Sequence, residues 1–388
     1  MAAAAASNVF TNIHAVNQAG LAEVTRFTIE TGGNQIILGP SGTGKTEINV
    51  QCIESMGYEF VYLNLSVLEA PDLLGLPSID EKEMVVKYAL PAAFPKVKKV
   101  KDGENRPKGK ILLVDELDKS KPELQAPMLE LFQYRSINGQ ELGFDAVLAT
   151  GNRPDEGAFS MPINKALTNR CKVYQMNPEF DPWRDWAASV NLNGLVIGFL
   201  SRNKDLFFAP DKSGDMTAYC SCSPRSWSNA ARDLDFAHKS KSKQNDWTFQ
   251  NQIVSGYVGV SAAAKFEVWL TYYKEIYPLI DALVLKGVEP NLKDATMDKV
   301  IVMAIAASQE IANKAKIIPG GKPDKQAILE AQKVAKNVST WLAKCPVDVM
   351  VAGMKSTLTS DQIQDYKITE VGDFMKVFRA INAAYKNT

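Results

Sequence analysis

The octet GPSGTGKT, residues 39–46, limits this chain more than any other feature. It reads G-x-x-x-x-G-K-T. Glycines let backbone N–H groups curl around an anion without Cβ clashes, and the helix that follows points its positive N-terminus at the phosphates. Gly39, Pro40, Ser41, Gly42, Thr43 and Gly44 form such a cradle. Lys45 then reaches the β- and γ-phosphates, and the Thr46 hydroxyl is placed to coordinate Mg²⁺. The motif needs a strand before it and a helix after it. NQIILG (34–39) reads as a buried strand and residues 43–56 as a helix. A bound nucleotide such as ATP is therefore expected. Whether its phosphoryl group passes to a small molecule or to water is not written in the octet.

Further strands are expected at YEFVYLNL (58–65), KILLVDELD (110–118), DAVLATGN (145–152) and CKVYQM (171–176). Apolar runs of this kind suit parallel strands covered on both faces by helices. The expectation is a doubly wound, parallel five-stranded α/β sheet. Ser120 and Glu123 fit a capping box with Pro122 in the first helical turn, and Leu124, Met128 and Leu131 recur at helical spacing. Asn138-Gly139 is a strong hairpin signal. After Asn177 helical periods dominate. Residues 251–276 and 325–345 both read as helices, the second with Ile328, Ala331, Ala335, Val338 and Leu342 on one face.

The strand at 110–118 ends in acids. In open α/β sheets, sites form at the carboxyl ends of strands. Asp115 would support Mg²⁺, and Glu116 would face the γ-phosphate and polarise a water. A second acid directly after the first favours hydrolysis over transfer to a small molecule. Asp118 is read as a partner of Lys119 or a cap for the next helix, with no catalytic part.

Five motifs in order, GPSGTGKT, DLLG (72–75), LLVDELD, LATGNRP and ALTNR, resemble the AAA+ ATPases. Within them the likeness is to the branch that includes MoxR, NorQ/CbbQ and CobS. It covers about residues 34–170 and, more weakly, continues to Arg225. The resemblance implies a P-loop AAA+ core followed by an all-α lid. It implies that Asn152 is the sensor 1 residue, holding water and feeling the γ-phosphate, against the plainer reading of a turn asparagine. It implies that Arg170 is an arginine finger reaching a neighbouring subunit, against a surface arginine. Relatives often have Asp before this Arg where this chain has Asn169. Arg225 matches sensor 2, against a structural lid arginine. The resemblance implies a helix 2 insert at about 66–95 and a pre-sensor hairpin at about 134–145, and the expected boundaries are a tail at 1–20, a core at 21–178, a lid at 179–283, and an extension or continued lid at 284–388.

Composition narrows the use of such a motor. Forty-four basic and 44 acidic residues cancel, whereas chains built to grip bare nucleic acid are usually basic. Residues 96–110 carry Lys96, Lys98, Lys99, Lys101, Arg106, Lys108 and Lys110 against Asp102 and Glu104. With Gly103, Pro107 and Gly109 and no interleaved aromatic, they read as a solvated loop. The longest apolar run, 300–307, is too short to span a membrane, and the start lacks the positive n-region of a secretory signal. Five cysteines, with Cys220 and Cys222 read as unligated thiols, indicate a reducing cytoplasm. The expectation is a Mg²⁺-dependent ATP hydrolase in a hexameric ring, remodelling a protein client alongside a von Willebrand A domain partner. A nucleic-acid motor or loader is the alternative.

Overall fold

The computed structural model describes residues 13–97, 108–153, 160–210, 220–240, 242–243, 246–291, 295–315, 322–355, 358 and 360–386. The chain divides into two compact units, residues 1–179 and 180–388.

The first unit is built on a parallel sheet of six strands. In chain order these elements are β1 (His14–Val16), α1 (Gln18–Glu30), β2 (Asn34–Leu38), α2 (Lys45–Ser55), β3 (Glu59–Asn64), α3 (Ala70–Leu74), β4 (Leu76–Asp80), β5 (Val85–Ala89), β6 (Lys110–Asp115), α4 (Pro122–Tyr134), β7 (Ser136–Ile137), β8 (Gln140–Glu141), β9 (Phe144–Gly151), α5 (Lys165–Thr168) and β10 (Lys172–Met176). The sheet runs β1-β10-β2-β9-β6-β3. Ile36, Ile37, Ile111 to Val114 and Val147 to Ala149 are fully buried, as strands covered on both faces require.

Three details depart from the sequence reading. The sheet has six strands, not five. The sixth, β1, lies with the start of α1 inside the stretch read as a tail. Three residues are too few for a periodic signal, and β1 is held by pairing with β10 and by Val16 packing on Leu21, Ile37 and Met176. The capping box at Ser120 and Glu123 does not form. Lys121 is the N-cap of α4 without a side-chain cap bond, because Ser120 closes a short 3-10 turn, Leu117–Lys119.

Asn138 and Gly139, with φ of 50° and 70°, turn the β7–β8 hairpin as their sequence demands. Between α3 and β6 stands a second hairpin, β4–β5. Ile79 pairs with Val86 and Pro77 with Tyr88, so these four share one face. Both strands are exposed, with Ile79 at 73% and Val86 at 57%. Gln140 donates to the Tyr88 carbonyl and ties the two hairpins together, and Asn138 donates to the Leu74 carbonyl at the end of α3.

The second unit is all helical: α6 (Phe180–Ser189), α7 (Gly194–Arg202), α8 (Pro224–Lys239), α9 (Trp247–Val258), α10 (Val260–Lys286), α11 (Met297–Lys314), α12 (Lys325–Leu342), α13 (Val347–Lys355), α14 (Ser360–Asp365) and α15 (Phe374–Lys386). The stretch 251–276, read as one helix, is broken at Gly259. Its φ of 85° lies in the left-handed region, so α9 stops and α10 starts there. One apolar core runs from Phe180 to Ile381 and includes the helices beyond residue 283. Its centre is aromatic: Phe199 packs on Phe266, Trp227 and Trp269 with ring centroids 5.2, 5.5 and 6.3 Å away. All six tryptophans belong to this unit. Phe199→Ala should therefore cost about 3–5 kcal/mol. Urea unfolding followed by tryptophan fluorescence should show the shift, and an unmoved midpoint would contradict the packing.

Candidate active site

Close packing and glycines shape the loop at residues 39–46. Gly39 ends β2 so close to β10 that a Cβ there would lie 2.9 Å from the Met176 Cβ and carbonyl. Gly44, with φ of 92°, is the N-cap of α2 and frees its first N–H groups. Thr43 is buried and donates to the Pro40 carbonyl at 2.9 Å. Lys45 is buried too. Its ammonium donates to the carbonyls of Gly39 at 2.6 Å and Pro40 at 2.8 Å, and to Asn152 Oδ1 at 3.3 Å. The Ser41 hydroxyl donates to the same Asn152 oxygen at 3.4 Å. The fold thus joins a lysine and an asparagine 107 residues apart, because β2 and β9 are neighbours that end together.

Asp115 ends β6. Thr46 donates to both of its carboxylate oxygens at 3.2 Å, Tyr62 donates at 2.9 Å, Thr150 makes a short hydrogen bond, and the Glu116 N–H donates at 3.0 Å. The facing Thr46 hydroxyl and Asp115 carboxylate are oxygen donors of the kind Mg²⁺ takes. Tyr62 and Thr150 escaped the sequence reading. Both lie within apolar strands, where a lone hydroxyl carries no spacing signal.

Glu116 has φ of 56° and ψ of 42°, a conformation unusual for a residue with a Cβ. This turns the chain sharply off the strand. Lys119 Nζ lies 2.5 Å from Glu116 Oε2, so the carboxylate is engaged by a cation on its own turn. That contact raises the Lys119 pKa and keeps it charged. Asp118 neither pairs with Lys119 nor caps α4. It is buried, and its carboxylate accepts from the Asn152 N–H at 2.8 Å and the Ser160 hydroxyl at 2.8 Å.

Arg170 is elsewhere. It follows α5 and precedes β10, and its carbonyl accepts from Asn34 Nδ2 at 2.9 Å at the start of β2. The phosphate loop begins at the other end of β2, roughly 13 Å away at about 3.3 Å per residue. Arg170 is thus at the opposite end of the sheet from Lys45 in its own chain. Its guanidinium is exposed, held by Gln133 Oε1 at 2.7 Å and the Ala166 carbonyl at 2.6 Å. Arg225 belongs to the second unit. It is exposed in the first turn of α8, just after the Ser223 N-cap.

Other candidates are resolved locally. Most of the basic stretch, 98–107, lies outside the described residues. Lys108 donates to the Met56 carbonyl and sits over the Tyr58 ring, and Lys110 pairs with Glu59 at 2.9 Å. Burial pushes the Cys171 thiol up to about 12 and those of Cys222 and Cys345 to about 11. Among the described residues no group of three His, Cys, Asp or Glu side chains could hold a metal, and no helix is long and apolar enough to cross a membrane.

A family model spans the residues from Lys45 to Arg170. Residues 34–171 match the family described as AAA domain (dynein-related subfamily). No curated protein matches the chain. Among solved structures, a candidate ATPase from Cytophaga hutchinsonii is 15% identical, with 95% of this chain and 90% of that chain covered and a TM-score of 0.29. NtrX from Brucella abortus is 17% identical, with 62% and 50% covered and a TM-score of 0.30. At those TM-scores the structural likeness carries no weight for function. The match to the AAA domain family over residues 34–171 supports ATP hydrolysis as the activity.

Burial, followed by the hydrogen bond to Asp115, pushes the Tyr62 phenol up to about 12. A phenol whose folded pKa is raised gives stability that is complete below the unfolded value near 10 and lost as pH rises through the folded one. Stability should therefore fall between about pH 10 and 12, and Tyr62→Phe should remove part of that fall. Identical alkaline unfolding curves for the two proteins would refute the contact.

Proposed function

We propose that the chain is a Mg²⁺-dependent, ring-forming ATPase of the MoxR-like type that turns hydrolysis into remodelling of a protein client. The observation that carries this reading is the separation of Lys45 and Arg170 across the sheet. An arginine finger stabilises transition-state charge only if it touches the nucleotide. Arg170 is too far from its own phosphate loop, so it serves a neighbouring subunit, and the functional unit is an oligomer, which we take to be a hexamer.

In the proposed cycle, N–H groups of residues 39–46 and Lys45 hold the phosphates. ATP oxygens replace the carbonyls that Lys45 now contacts. Thr46 and Asp115 would hold Mg²⁺, which when bound would supply charge neutralisation for phosphoryl transfer. Glu116 leaves Lys119, orients a water and accepts its proton. The water oxygen bonds to the γ-phosphorus as the bond to the β–γ bridging oxygen breaks, giving ADP and phosphate. Asn152 contacts the water and γ-phosphate, and Arg225 contributes from the lid. Gln133 and the Ala166 carbonyl supply the orientation that an aspartate at position 169 gives relatives.

The client would meet the β4–β5 hairpin. Its apolar face, Pro77, Ile79, Val86 and Tyr88, has the exposure expected of a surface that grips unfolded or extended chain. A von Willebrand A domain partner would be a separate polypeptide. The basic stretch around residues 96–110 keeps a nucleic-acid motor as the second reading.

ATPase rate across a protein concentration series, with and without DNA, separates the two. A rate per subunit that climbs with concentration and ignores DNA supports the protein-remodelling ring. Stimulation by DNA would replace it with the nucleic-acid motor. Glu116→Gln should bind ATP and hydrolyse it at least about a hundredfold slower, as loss of a general base predicts. Arg170→Ala subunits mixed into a wild-type ring should suppress their neighbours, and strictly proportional activity would sink the trans role.

A further inference from the structure

We infer that Asp118 is a positioning residue for Asn152, selecting which end of its amide faces Lys45. The inference rests on the sensing role proposed for Asn152.

An asparagine amide has an acceptor end and a donor end, nearly equal in shape. Which end points where is decided by the neighbours. Here the neighbours have opposite chemistry. Lys45 can only donate, and its Nζ lies 3.3 Å from Asn152 Oδ1. A carboxylate can only accept, and Asp118 Oδ2 lies 3.5 Å from Asn152 Nδ2. Reversing the amide would set oxygen against carboxylate and NH₂ against ammonium. Both contacts would then be repulsive. The amide is thus polarised between two charged groups and has one acceptable orientation.

Asp118 is well fixed for this task. It is 1% exposed, and its hydrogen bonds run to the segment after β9. Oδ1 takes the Asn152 N–H at 2.8 Å, Oδ2 takes the Ser160 hydroxyl at 2.8 Å, and its carbonyl takes the Met161 N–H at 2.6 Å. The strand end makes room for it: a Cβ at Gly151 would lie 3.0 Å from Asp118 Oδ1. A buried carboxylate is costly unless fully hydrogen-bonded, and this one directs its bonds to the segment that bears Asn152. It also sits on the 3-10 turn directly after Glu116. The residue that orients water and the residue that reads the γ-phosphate are therefore held in one frame through Asp118.

Asp118→Asn tests this. The substitution keeps size and an acceptor for the Asn152 N–H. The new amide, however, can meet either end of the Asn152 side chain, so selection is lost. In the full chain, kcat should fall about tenfold while KM for ATP and affinity for a fluorescent ADP analogue stay within about twofold. The melting temperature should stay close to wild type. In an Asn152→Ala background the same substitution should cost nothing more, because a residue acting only through Asn152 has nothing left to position. Wild-type kcat in Asp118→Asn, with Asn152→Ala impaired, would overturn the inference and leave the sensor reading intact. An added loss in the Asn152→Ala background would also overturn it. An unimpaired Asn152→Ala would remove the sensor reading and this inference with it. If Asp118→Asn does not fold, Ser160→Ala loosens the same carboxylate. It should lower kcat about threefold, only where Asn152 is present, and an unchanged kcat would overturn the inference.

Discussion

The Asp115 carboxylate gathers the first unit's site into one place. It receives hydroxyls from Thr46 at the start of α2, Tyr62 on β3 and Thr150 on β9, and the N–H of Glu116 beyond its own strand. No two of these side chains come from one element. They meet because a parallel sheet brings the carboxyl ends of its strands to one edge, with Asn64 level with Asp115 and Val114 level with Ala149. A slip of one residue would turn Asp115 to the opposite face. Fully buried Ile111 to Val114 prevent that slip, so the packing of the sheet is a condition of the chemistry.

The polar groups of the candidate site are bonded to one another and to the backbone. Lys45 is bonded to loop carbonyls and to Asn152, and Glu116 is paired with Lys119. Lys45 and Glu116, two groups that would act on a nucleotide, have partners within the chain. This is the expected solution for buried polar groups, which cost free energy when left unpaired. Under the proposed function, nucleotide binding would exchange these partners, with phosphate oxygens replacing the carbonyls at Lys45 and a water replacing the ammonium at Glu116.

The second unit solves a separate problem. Among the described residues it has no sheet to order its helices, so shape comes from large side chains: Trp227, Phe199, Phe266 and Phe374 are all buried. Gly259 gives the bend between α9 and α10. Helices on both sides of the boundary expected at 283/284, up to α15, share this core.

Much of the site was legible in the sequence because its residues sit in contiguous motifs. The octet at 39–46, the acids at 115 and 116, and Asn152 after its strand each carry a local signal, and the four longer strands beside the octet's own read as apolar runs. What escaped was local in no sense. Asp118 read as a partner of Lys119 or a helix cap, and only the approach of β9 to the turn after β6 shows it holding Asn152. Tyr62 and Thr150 looked like ordinary strand residues until the register set them against Asp115. Strand β1 is too short to announce itself. The sequence by itself determined the nucleotide chemistry and the α/β-then-α order, because backbone cradles and buried strands need particular residues at fixed spacing. Only the tertiary structure decided which side chains hold the reactive groups in place, and that Arg170 stands across the sheet from Lys45, because those contacts join residues tens to more than a hundred positions apart.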